Sequence, residues 1–293
     1  MTELDLLILG AGWTGTFLIP LAQSRSLQIA ATTTNGHPVG DFPTIPFKFD
    51  PSAPEEQTRT AISSLPRAKT VLITFPLTGT GPSKLLVSTY TSTHQTSAAV
   101  NTATKFRFIQ LGSTGIWQNN GQTFTDSSSP WIHRHSPFNT SNPRAIAEEE
   151  LLSLGGCVLN LSGLWGGQRD PKNWIPRVAA TKEQVKGKKS LHLVHGEDVA
   201  RAVLAVAAAE DNKWEDAGKG QRWMITDGMV YDWWTLLAGW ADKAGEQVKW
   251  VFELMEEEGV RGLPRSMEVL GRAYDSREFW RRWGLEPVKG GAW

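Results

Sequence analysis

The stretch GAGWTG, residues 10–15, decides the fold. It follows the apolar run LDLLIL at residues 4–9, which predicts a buried strand, and it precedes the apolar segment 17–22, which can open a helix. A Gly-x-Gly-x-x-Gly turn in this context is typical of dinucleotide binding. The first glycine permits the tight turn, the second lets the backbone approach a pyrophosphate, and the third lets the helix lie close to the strand. The alternative is a glycine-rich turn that serves packing alone.

The composition is that of a soluble globular protein. The 293 residues are 40% apolar and 20% charged, and 30 basic residues balance 30 acidic ones. This balance gives no field that attracts nucleic acid or a membrane surface, so we expect a small-molecule substrate. We find no membrane-spanning stretch and no signal-peptide pattern, which predicts a cytoplasmic protein. The sequence allows a homodimer and does not require one. The single cysteine, Cys157, excludes a disulfide framework and is expected to be buried.

Short apolar runs alternate with amphipathic segments through the first two-thirds of the chain. The runs that predict the second to sixth strands are residues 27–33, 45–50, 70–75, 106–111 and 157–161. Helical patterns at 82–103 and 143–154 fall between them. This alternation predicts an α/β fold with a doubly wound parallel sheet. Ligands of such sheets bind at the carboxyl ends of the strands, so the residues after each strand are the candidate site.

The pattern changes after about residue 227 to tryptophan-rich helices. We therefore predict a dinucleotide-binding Rossmann domain from residues 1–164 and 191–226, and a small, discontinuous substrate lobe from 165–190 and 227–293. Tryptophan offers a large apolar face and one donor, which suits a ligand cleft. The candidate substrate-binding residues are Trp117, Trp131, Trp165, Arg169, Asn173 and Trp174.

Five segments occur in the order found in extended short-chain dehydrogenases/reductases. They are residues 10–15, 73–76 (ITFP), 111–117 (LGSTGIW), 164–171 (LWGGQRDP) and 194–202 (VHGEDVARA). The chain resembles the atypical branch of this superfamily, which is NAD-dependent epimerase/dehydratase-like. The resemblance implies a Rossmann fold, a nicotinamide cofactor and oxidoreductase or epimerase-like chemistry. The expected substrate is a small, partly aromatic or apolar metabolite.

The chain departs from that superfamily at the proton-transfer residues. Typical members use a Ser or Thr, a Tyr, and a Lys four residues after the Tyr. Ser113 matches the first, but Thr140 stands in place of the Tyr and Arg144 in place of the Lys. A register one residue later gives Ser141 and Ala145, which does not restore the pair. We therefore expect no ordinary Tyr-Lys proton transfer.

Other side chains are candidates to take over this chemistry. His133 and His135 lie in a long polar segment, 115–142, and histidine titrates near neutrality; the alternative is two solvated loop histidines. We expect this segment to be a loop that closes over the nicotinamide end. Ser113 can donate a hydrogen bond to a substrate carbonyl, or merely cap a turn. The catalytic candidates are Ser113, Thr114, His133, His135, Thr140 and Arg144.

A metal site is not expected, because His-x-His lacks the further ligands that a closed site needs. His195 lies at a predicted helix start and is expected to be structural.

The cofactor preference depends on the end of the second strand. NAD enzymes usually place an Asp or Glu there for the ribose 2′-OH, but residues 32–36 read TTTNG and contain no acid. This favours NADP, with NAD as the less favoured alternative. Arg144 is also a candidate to contact ribose or phosphate. The candidate cofactor-binding residues are Gly10, Gly12, Trp13, Thr14, Gly15, Thr33, Thr34, Asn35, Asp50, Thr74, Phe75, Pro76 and Arg144.

Three functions fit these observations. The first is an NADP-dependent oxidoreductase or epimerase-like enzyme with altered acid-base residues. The second is a catalytically altered NADP-binding regulator. The third is a non-redox enzyme, such as a cyclase or isomerase, that uses the same fold.

Overall fold

The computed structural model describes residues 3–95, 106–119, 122–123 and 130–291. The chain forms two compact units. The first comprises Met1–Ile116, Asn139–Asn160 and Val199–Trp223; the second comprises Trp117–Phe138, Leu161–Asp198 and Met224–Trp293. Residues 117–138 and 191–198 thus fall in the second unit, whereas the sequence-based domain bounds assign them to the first.

Short strands and helices alternate along the described residues. The strands are β1 (Leu4–Leu9), β2 (Ile29–Thr33), β3 (Ile45–Pro46), β4 (Ala68–Ile73), β5 (Arg107–Ser113), β6 (Gln118–Asn119), β7 (Gln122–Thr123), β8 (Trp131–His133), β9 (Cys157–Leu161), β10 (Gly163–Trp165), β11 (Ser190–Leu191), β12 (Leu193–His195), β13 (Arg222–Ile225), β14 (Tyr231–Asp232) and β15 (Ala273–Asp275). The α-helices are α1 (Gly12–Ser24), α2 (Glu55–Ser63), α3 (Pro82–His94), α4 (Pro143–Ser153), α5 (Ile175–Val178), α6 (Lys182–Lys186), α7 (Gly196–Ala207), α8 (Asp211–Ala217), α9 (Trp233–Gly239), α10 (Ala241–Ala244), α11 (Glu246–Glu257), α12 (Met267–Leu270) and α13 (Arg277–Trp283).

The main sheet has seven strands, in the order β13-β9-β5-β4-β1-β2-β3, and most of its residues belong to the first unit. The pairs β1–β2, β1–β4, β2–β3 and β4–β5 are parallel. The predicted α/β class with a doubly wound parallel sheet is confirmed. The third strand is shorter than the predicted run at 45–50, and the sheet gains β13, which the apolar pattern did not predict. Because the strands run parallel, the turns that follow β1, β2, β4 and β5 share one edge of the sheet.

The core of the first unit is aliphatic and aromatic. The last four residues of β1 and of β4 are buried, as continuous apolar strands in a sheet covered on both faces should be. Cys157 is buried, as predicted. Two helices begin at prolines, which suit the first helical turn: α3 at Pro82 and α4 at Pro143. Helix α3 ends at His94, and residues 96–103 of the longer predicted helix lie outside the described residues.

The second unit has a different core, in which buried tryptophans pack among aliphatic side chains. Trp234 and Trp240 are fully buried among aliphatic side chains of α9 and α11, and Trp233 packs edge-on against Trp240 with ring centroids 6.2 Å apart. The predicted loop at 115–142 is partly structured here. A 3₁₀ helix covers Thr114–Trp117, and β8 pairs in parallel with β15. The prediction of a loop over this whole segment was therefore wrong; residues 120–121 and 124–129 lie outside the described residues.

In the part of the chain that the structure describes, no helix is both long and apolar enough to cross a membrane.

Candidate functional site

The glycine turn after β1 has the geometry that the sequence predicts. Gly10 and Gly12 adopt φ values of +80° and +41°, and the Gly10 N–H donates to the Thr32 hydroxyl at 2.9 Å. A side chain on Gly10 would approach Phe75 to 3.0 Å, whereas a Cβ on Gly12 would meet nothing within 4 Å. A Cβ on Gly15 would lie 2.8 Å from that of Ala11, so this glycine is required by packing. Gly12 therefore leaves an open face at the start of α1, where a phosphate can approach the backbone.

A cavity of about 410 Å³ opens beside this turn, at the carboxyl ends of β1, β2 and β4. Its lining residues are Gly10, Gly12, Thr33, Thr34, His37, Phe47, Lys48, Phe49, Phe75 and Pro76. Six of the predicted cofactor residues are among them. The rings of Phe49 and Phe75 are stacked, with centroids 6.1 Å apart and planes inclined by 24°. The cavity thus combines an open glycine backbone with a stacked aromatic wall, which fits the phosphates and the base of a dinucleotide.

The segment after β2 is held in place by hydroxyl groups. The Thr33 and Thr44 hydroxyl oxygens lie 3.0 and 2.7 Å from the His37 backbone oxygen and 2.8 Å from each other, and their two protons serve two of these three contacts. The His37 imidazole bonds to the Asn35 side-chain oxygen. The ionisable groups among the cavity-lining residues are His37 and Lys48, both basic. No carboxylate is among them.

A neighbouring cavity of about 440 Å³ shares the segment Phe47–Phe49 with the first. Asp50 lines this second cavity, and its carboxylate accepts from the backbone N–H of Ser52 at 2.9 Å and from the Ser52 hydroxyl at 2.6 Å. These bonds hold the pKa of Asp50 below its ordinary value, so the group is ionised near neutrality.

The remaining predicted cofactor residues surround the turn. Thr74 donates to the backbone oxygen of Leu9 at 3.0 Å, which joins the ends of β1 and β4. Thr14 is buried at the start of α1. Trp13 is half-buried on the same helix and contacts Phe17 edge-on, with centroids 5.1 Å apart.

Ser113 ends β5 on the same sheet edge. Its hydroxyl oxygen accepts from the Gly115 N–H at 3.1 Å, which leaves the hydroxyl proton available to a ligand. Below it, the Asn160 amide donates to the Ser113 backbone oxygen at 3.1 Å and to both Glu148 carboxylate oxygens at 2.9 Å. Burial raises the pKa of Glu148, while the neighbouring Arg222 opposes that shift. The next residue, Thr114, is buried.

The places of the absent Tyr and Lys lie at the start of α4. Thr140 and Arg144 are exposed, and the Arg144 N–H is capped by the Asn142 side chain at 2.9 Å. The chain's three tyrosines give no substitute, because all are buried: Tyr90 is 0% exposed, and Tyr231 and Tyr274 are 3% exposed. Burial also raises the pKa of Tyr90 to about 12.

The two histidines proposed as replacement acids belong to the second unit. His133 and His135 are exposed, and the His135 N–H donates to the His133 Nδ1 atom at 3.2 Å. The His135 Nε2 atom lies 3.3 Å from a carboxylate oxygen of Glu278, which also binds Arg134 at 2.8 Å. Among the described residues, no group of three or more His, Cys, Asp or Glu side chains is placed to hold a metal ion.

The predicted substrate-binding residues also lie in the second unit. Trp117 is fully buried instead of lining a cleft, and its indole N–H donates to the Ser136 backbone oxygen at 3.1 Å. Trp131 is 47% exposed. Trp165 is half-buried and packs edge-on against His195, with ring centroids 4.6 Å apart. The other three are the half-buried Trp174 and the exposed Asn173 and Arg169.

His195 is structural in this arrangement. Its Nδ1 atom accepts from the Glu197 N–H at 3.1 Å, and burial lowers its pKa. The ring also lies so close to Gly166, which has a φ of +105°, that a side chain there would collide with it.

Sequence reasoning missed His37, Phe47, Lys48 and Phe49 as lining residues. A usable signal existed for three of them, since Phe47, Lys48 and Phe49 directly precede Asp50 at the end of the predicted third strand. His37 gave no such signal, because the turn that brings it to the cavity depends on hydroxyl bonds from Thr33 and Thr44.

No family model and no curated protein matches this sequence. Several solved structures match the chain in fold. One is the UDP-glucose 4-epimerase of Thermus thermophilus in complex with NAD, with 13% identity, a TM-score of 0.59, and coverage of 98% of this chain and 95% of that one. Another is a short-chain dehydrogenase/reductase superfamily protein of Agrobacterium tumefaciens with bound NAD, with 10% identity, a TM-score of 0.59, and coverage of 97% and 93%. A third is MoeE5 with UDP-glucose and NAD, with 15% identity, a TM-score of 0.58, and coverage of 98% and 95%. The chain therefore has the Rossmann fold of the epimerase and short-chain dehydrogenase/reductase structures.

Proposed function

We propose that the first unit binds a nicotinamide dinucleotide, with its pyrophosphate on the glycine turn. The observation that carries this proposal is the open face at Gly12, beside a cavity whose walls include Phe49 and Phe75. Each of the three solved structures compared above contains NAD. The glycine backbone and the N-terminus of α1 would hold the phosphates, and the cavity would hold the adenosine half.

The cofactor is NADP(H) in preference to NAD(H). The cavity-lining residues that follow β2 and β3 include His37 and Lys48 and no carboxylate. A ribose 2′-phosphate carries up to two negative charges, which Lys48 attracts, whereas an acid at this place would repel it. Thr33 and Thr34 add side-chain and backbone groups that can bond to the ribose.

The function that we propose is an oxidoreductase or epimerase-like enzyme with non-standard acid-base residues. The cofactor would supply hydride chemistry. Ser113 would hold a substrate carbonyl, because its hydroxyl oxygen accepts from Gly115 and its proton remains free to donate. The substrate would be a small, partly aromatic or apolar molecule.

A second candidate function is a catalytically altered NADP-binding regulator. The observation that favours it is the burial of all three tyrosines, which leaves Thr140 and Arg144 at the proton-transfer positions. Arginine stays protonated and is a poor proton donor. Incubation with NADPH deuterated at C4 and a panel of small carbonyl compounds separates the two candidates, because an enzyme transfers deuterium to a product and a regulator retains it.

The cofactor proposal is tested by calorimetric titration of NADP+ into the wild-type protein and Gly12→Val. We expect the valine to abolish binding, because its side chain occupies the open face that the pyrophosphate needs. Gly259→Val is the matched control: Gly259 also has a positive φ and open space around it, but it lies in the second unit after α11. The proposal is wrong if the wild type binds no dinucleotide, or if Gly12→Val binds as well as the control.

A further inference from the structure

We propose that residues 285–291 form a strap that closes over two buried carboxyl groups, Asp198 and Asp227, in mildly acidic solution and opens as the pH rises. This segment follows α13 and forms neither helix nor strand. The strap and both acids belong to the second unit, whereas the residues that line the proposed dinucleotide cavity belong to the first. The strap is therefore independent of the proposed cofactor site.

Asp198 holds the first half of the strap. Its side chain lies in the first turn of α7 and is 0% exposed. The Val288 N–H group donates to the two carboxylate oxygens, at 2.9 and 3.1 Å, and the Lys289 N–H donates to one of them at 3.0 Å. Val288 is itself 52% exposed, so the strap lies on the surface and turns these backbone donors inward. The donors stabilise a carboxylate that burial removes from water.

Tyr231 and Met229 hold the second half of the strap over Asp227. The Gly291 N–H donates to the Tyr231 hydroxyl oxygen at 2.9 Å, and that hydroxyl donates to the Asp227 carboxylate at 2.6 Å. The Met229 N–H donates to the other Asp227 oxygen at 3.0 Å, and the Met229 methyl carbon lies 2.7 Å from where a Cβ on Gly290 would be. The strap therefore packs on the corner that buries Asp227.

The charged groups around the strap do not neutralise Asp227. Asp198 is its charged neighbour, and the like charge of Asp198 opposes ionisation of Asp227. Lys289 lies 3.5 Å from Glu197 in an exposed ion pair, which contributes little to holding the strap. His195 interacts with Glu197, Asp198 and Lys289, and burial lowers its pKa. The buried acids and their backbone donors are thus the main attachment of the strap.

The closed strap makes ionisation of Asp227 unfavourable. Burial, with a smaller effect from Asp198, raises the pKa of Asp227 from 3.8 to about 6, although the bonds from Tyr231 and Met229 oppose this shift. When the strap lifts, water reaches the carboxyl group and its pKa returns toward 3.8. The proton therefore binds more tightly to the closed form, and the closed form loses this advantage as the pH rises through about 6.

The two pKa values set the size of the effect. The ratio of closed to open strap should be about tenfold higher at pH 5 than at pH 8. Opening gives solvent access to the Asp198 and Asp227 carboxylates and to the Tyr231 phenol. It also withdraws Lys289 from Glu197, so the uncovered surface is acidic.

The test is hydrogen–deuterium exchange of the full chain, followed by mass spectrometry of the peptide that covers residues 285–291. Each exchange rate is divided by the intrinsic rate at the same pH, which gives the protection of the strap. We expect the wild-type protection to be about tenfold higher at pH 5 than at pH 8. The amides of the buried helix α9 are the internal reference and should keep their protection, because they exchange only when the unit unfolds.

Three variants connect the effect to Asp227. Asp227→Asn removes the titrating group and keeps its shape, so the protection of the strap should be the same at both pH values. Asp242→Asn is the matched control: Asp242 is an exposed acid of the same unit, 3.1 Å from Lys172, and its loss should leave the pH effect at full size. Tyr231→Phe removes the acceptor of the Gly291 N–H and should lower the protection at both pH values.

Three results overturn the inference: equal protection of the wild-type strap at the two pH values, a pH effect that Asp227→Asn leaves unchanged, or loss of protection in α9 together with the strap. The last result would assign the pH effect to unfolding of the whole unit. If Asp227→Asn does not fold, the wild-type comparison of the strap with α9 still decides between these outcomes.

Discussion

Among the described residues, each unit holds a buried carboxylate beside an arginine, and the two pairs differ in how completely they are bonded. In the second unit, Asp232 and Arg265 are 0% and 3% exposed, and the carboxylate also accepts from the Trp234 and Arg265 backbone N–H groups at 3.0 and 2.9 Å. In the first unit, the Glu148 carboxylate lies 3.1 Å from the Arg222 guanidinium and accepts a hydrogen bond from the Asn160 amide nitrogen. The buried Asn160 side-chain oxygen has no partner among the described residues.

The comparison contrasts a pair that joins two segments of the chain with a pair that lies beside the candidate site residue Ser113. The Asp232–Arg265 pair joins the β14–α9 corner to the chain before α12. The Arg265 guanidinium also lies 3.9 Å from the centroid of the Trp234 ring. The other pair lies below Ser113 at the sheet edge where the ligand is expected, and burial raises the pKa of Glu148.

The largest effect should come from breaking the fully bonded pair. We expect Arg265→Leu to lower the free energy of unfolding by about 3–5 kcal/mol, because it leaves the Asp232 charge buried without its partner. Arg222→Leu should cost less, because Arg222 divides its guanidinium group between Glu148 and the exposed Glu149. Urea unfolding of both variants beside the wild type measures the difference. Equal losses would remove the distinction between the two pairs.

A third buried carboxylate, Asp227, gives a pH dependence of similar origin. Its carboxylate accepts from the Tyr231 hydroxyl at 2.6 Å and from the Met229 N–H at 3.0 Å. Burial nevertheless raises its pKa from 3.8 to about 6. Because the folded pKa is the higher one, this stability is fully present below pH 3.8 and is lost as the pH rises through about 6.

We expect the Asp227 contribution to fall by about 3 kcal/mol between pH 4 and pH 7, as two units of pKa imply. Asp227→Asn is the control, because asparagine keeps the shape of the side chain and does not titrate. Unfolding free energies of the two proteins across this range should converge or cross as the wild type loses stability. Parallel curves would show that Asp227 does not titrate as its burial implies.

Much of the first unit could be predicted from the sequence, because its strands are continuous apolar runs and its turn is a local glycine pattern. β1, the turn at 10–15 and α1 follow from adjacent residues alone. β13 and the β8–β15 pair were missed, since they are short and owe their formation to distant partners. The tryptophan-rich composition after residue 227 indicated a second body, but it could not tell which indoles are fully buried, as those of Trp234 and Trp240 are.

The candidate site likewise contains residues that the sequence pattern locates and residues that it does not. The glycine, threonine and Phe75 positions around the cavity follow from strand ends that the apolar pattern locates. His37 could not be assigned by the same reasoning, because a bend fixed by Thr33 and Thr44 carries it to the cavity. Sequence pattern therefore locates the glycine turn and the strand ends well, and a side chain that a bend brings to the cavity poorly.

The most direct test of the account is the ratio of the NADP+ and NAD+ dissociation constants, measured by calorimetry on the wild type and on Lys48→Glu. We expect the wild type to bind NADP+ more tightly, and the glutamate to reduce that preference by about tenfold or more, since it replaces attraction to the 2′-phosphate with repulsion. A wild type that prefers NAD+, or a ratio that Lys48→Glu leaves unchanged, would contradict the assignment of this cavity to NADP.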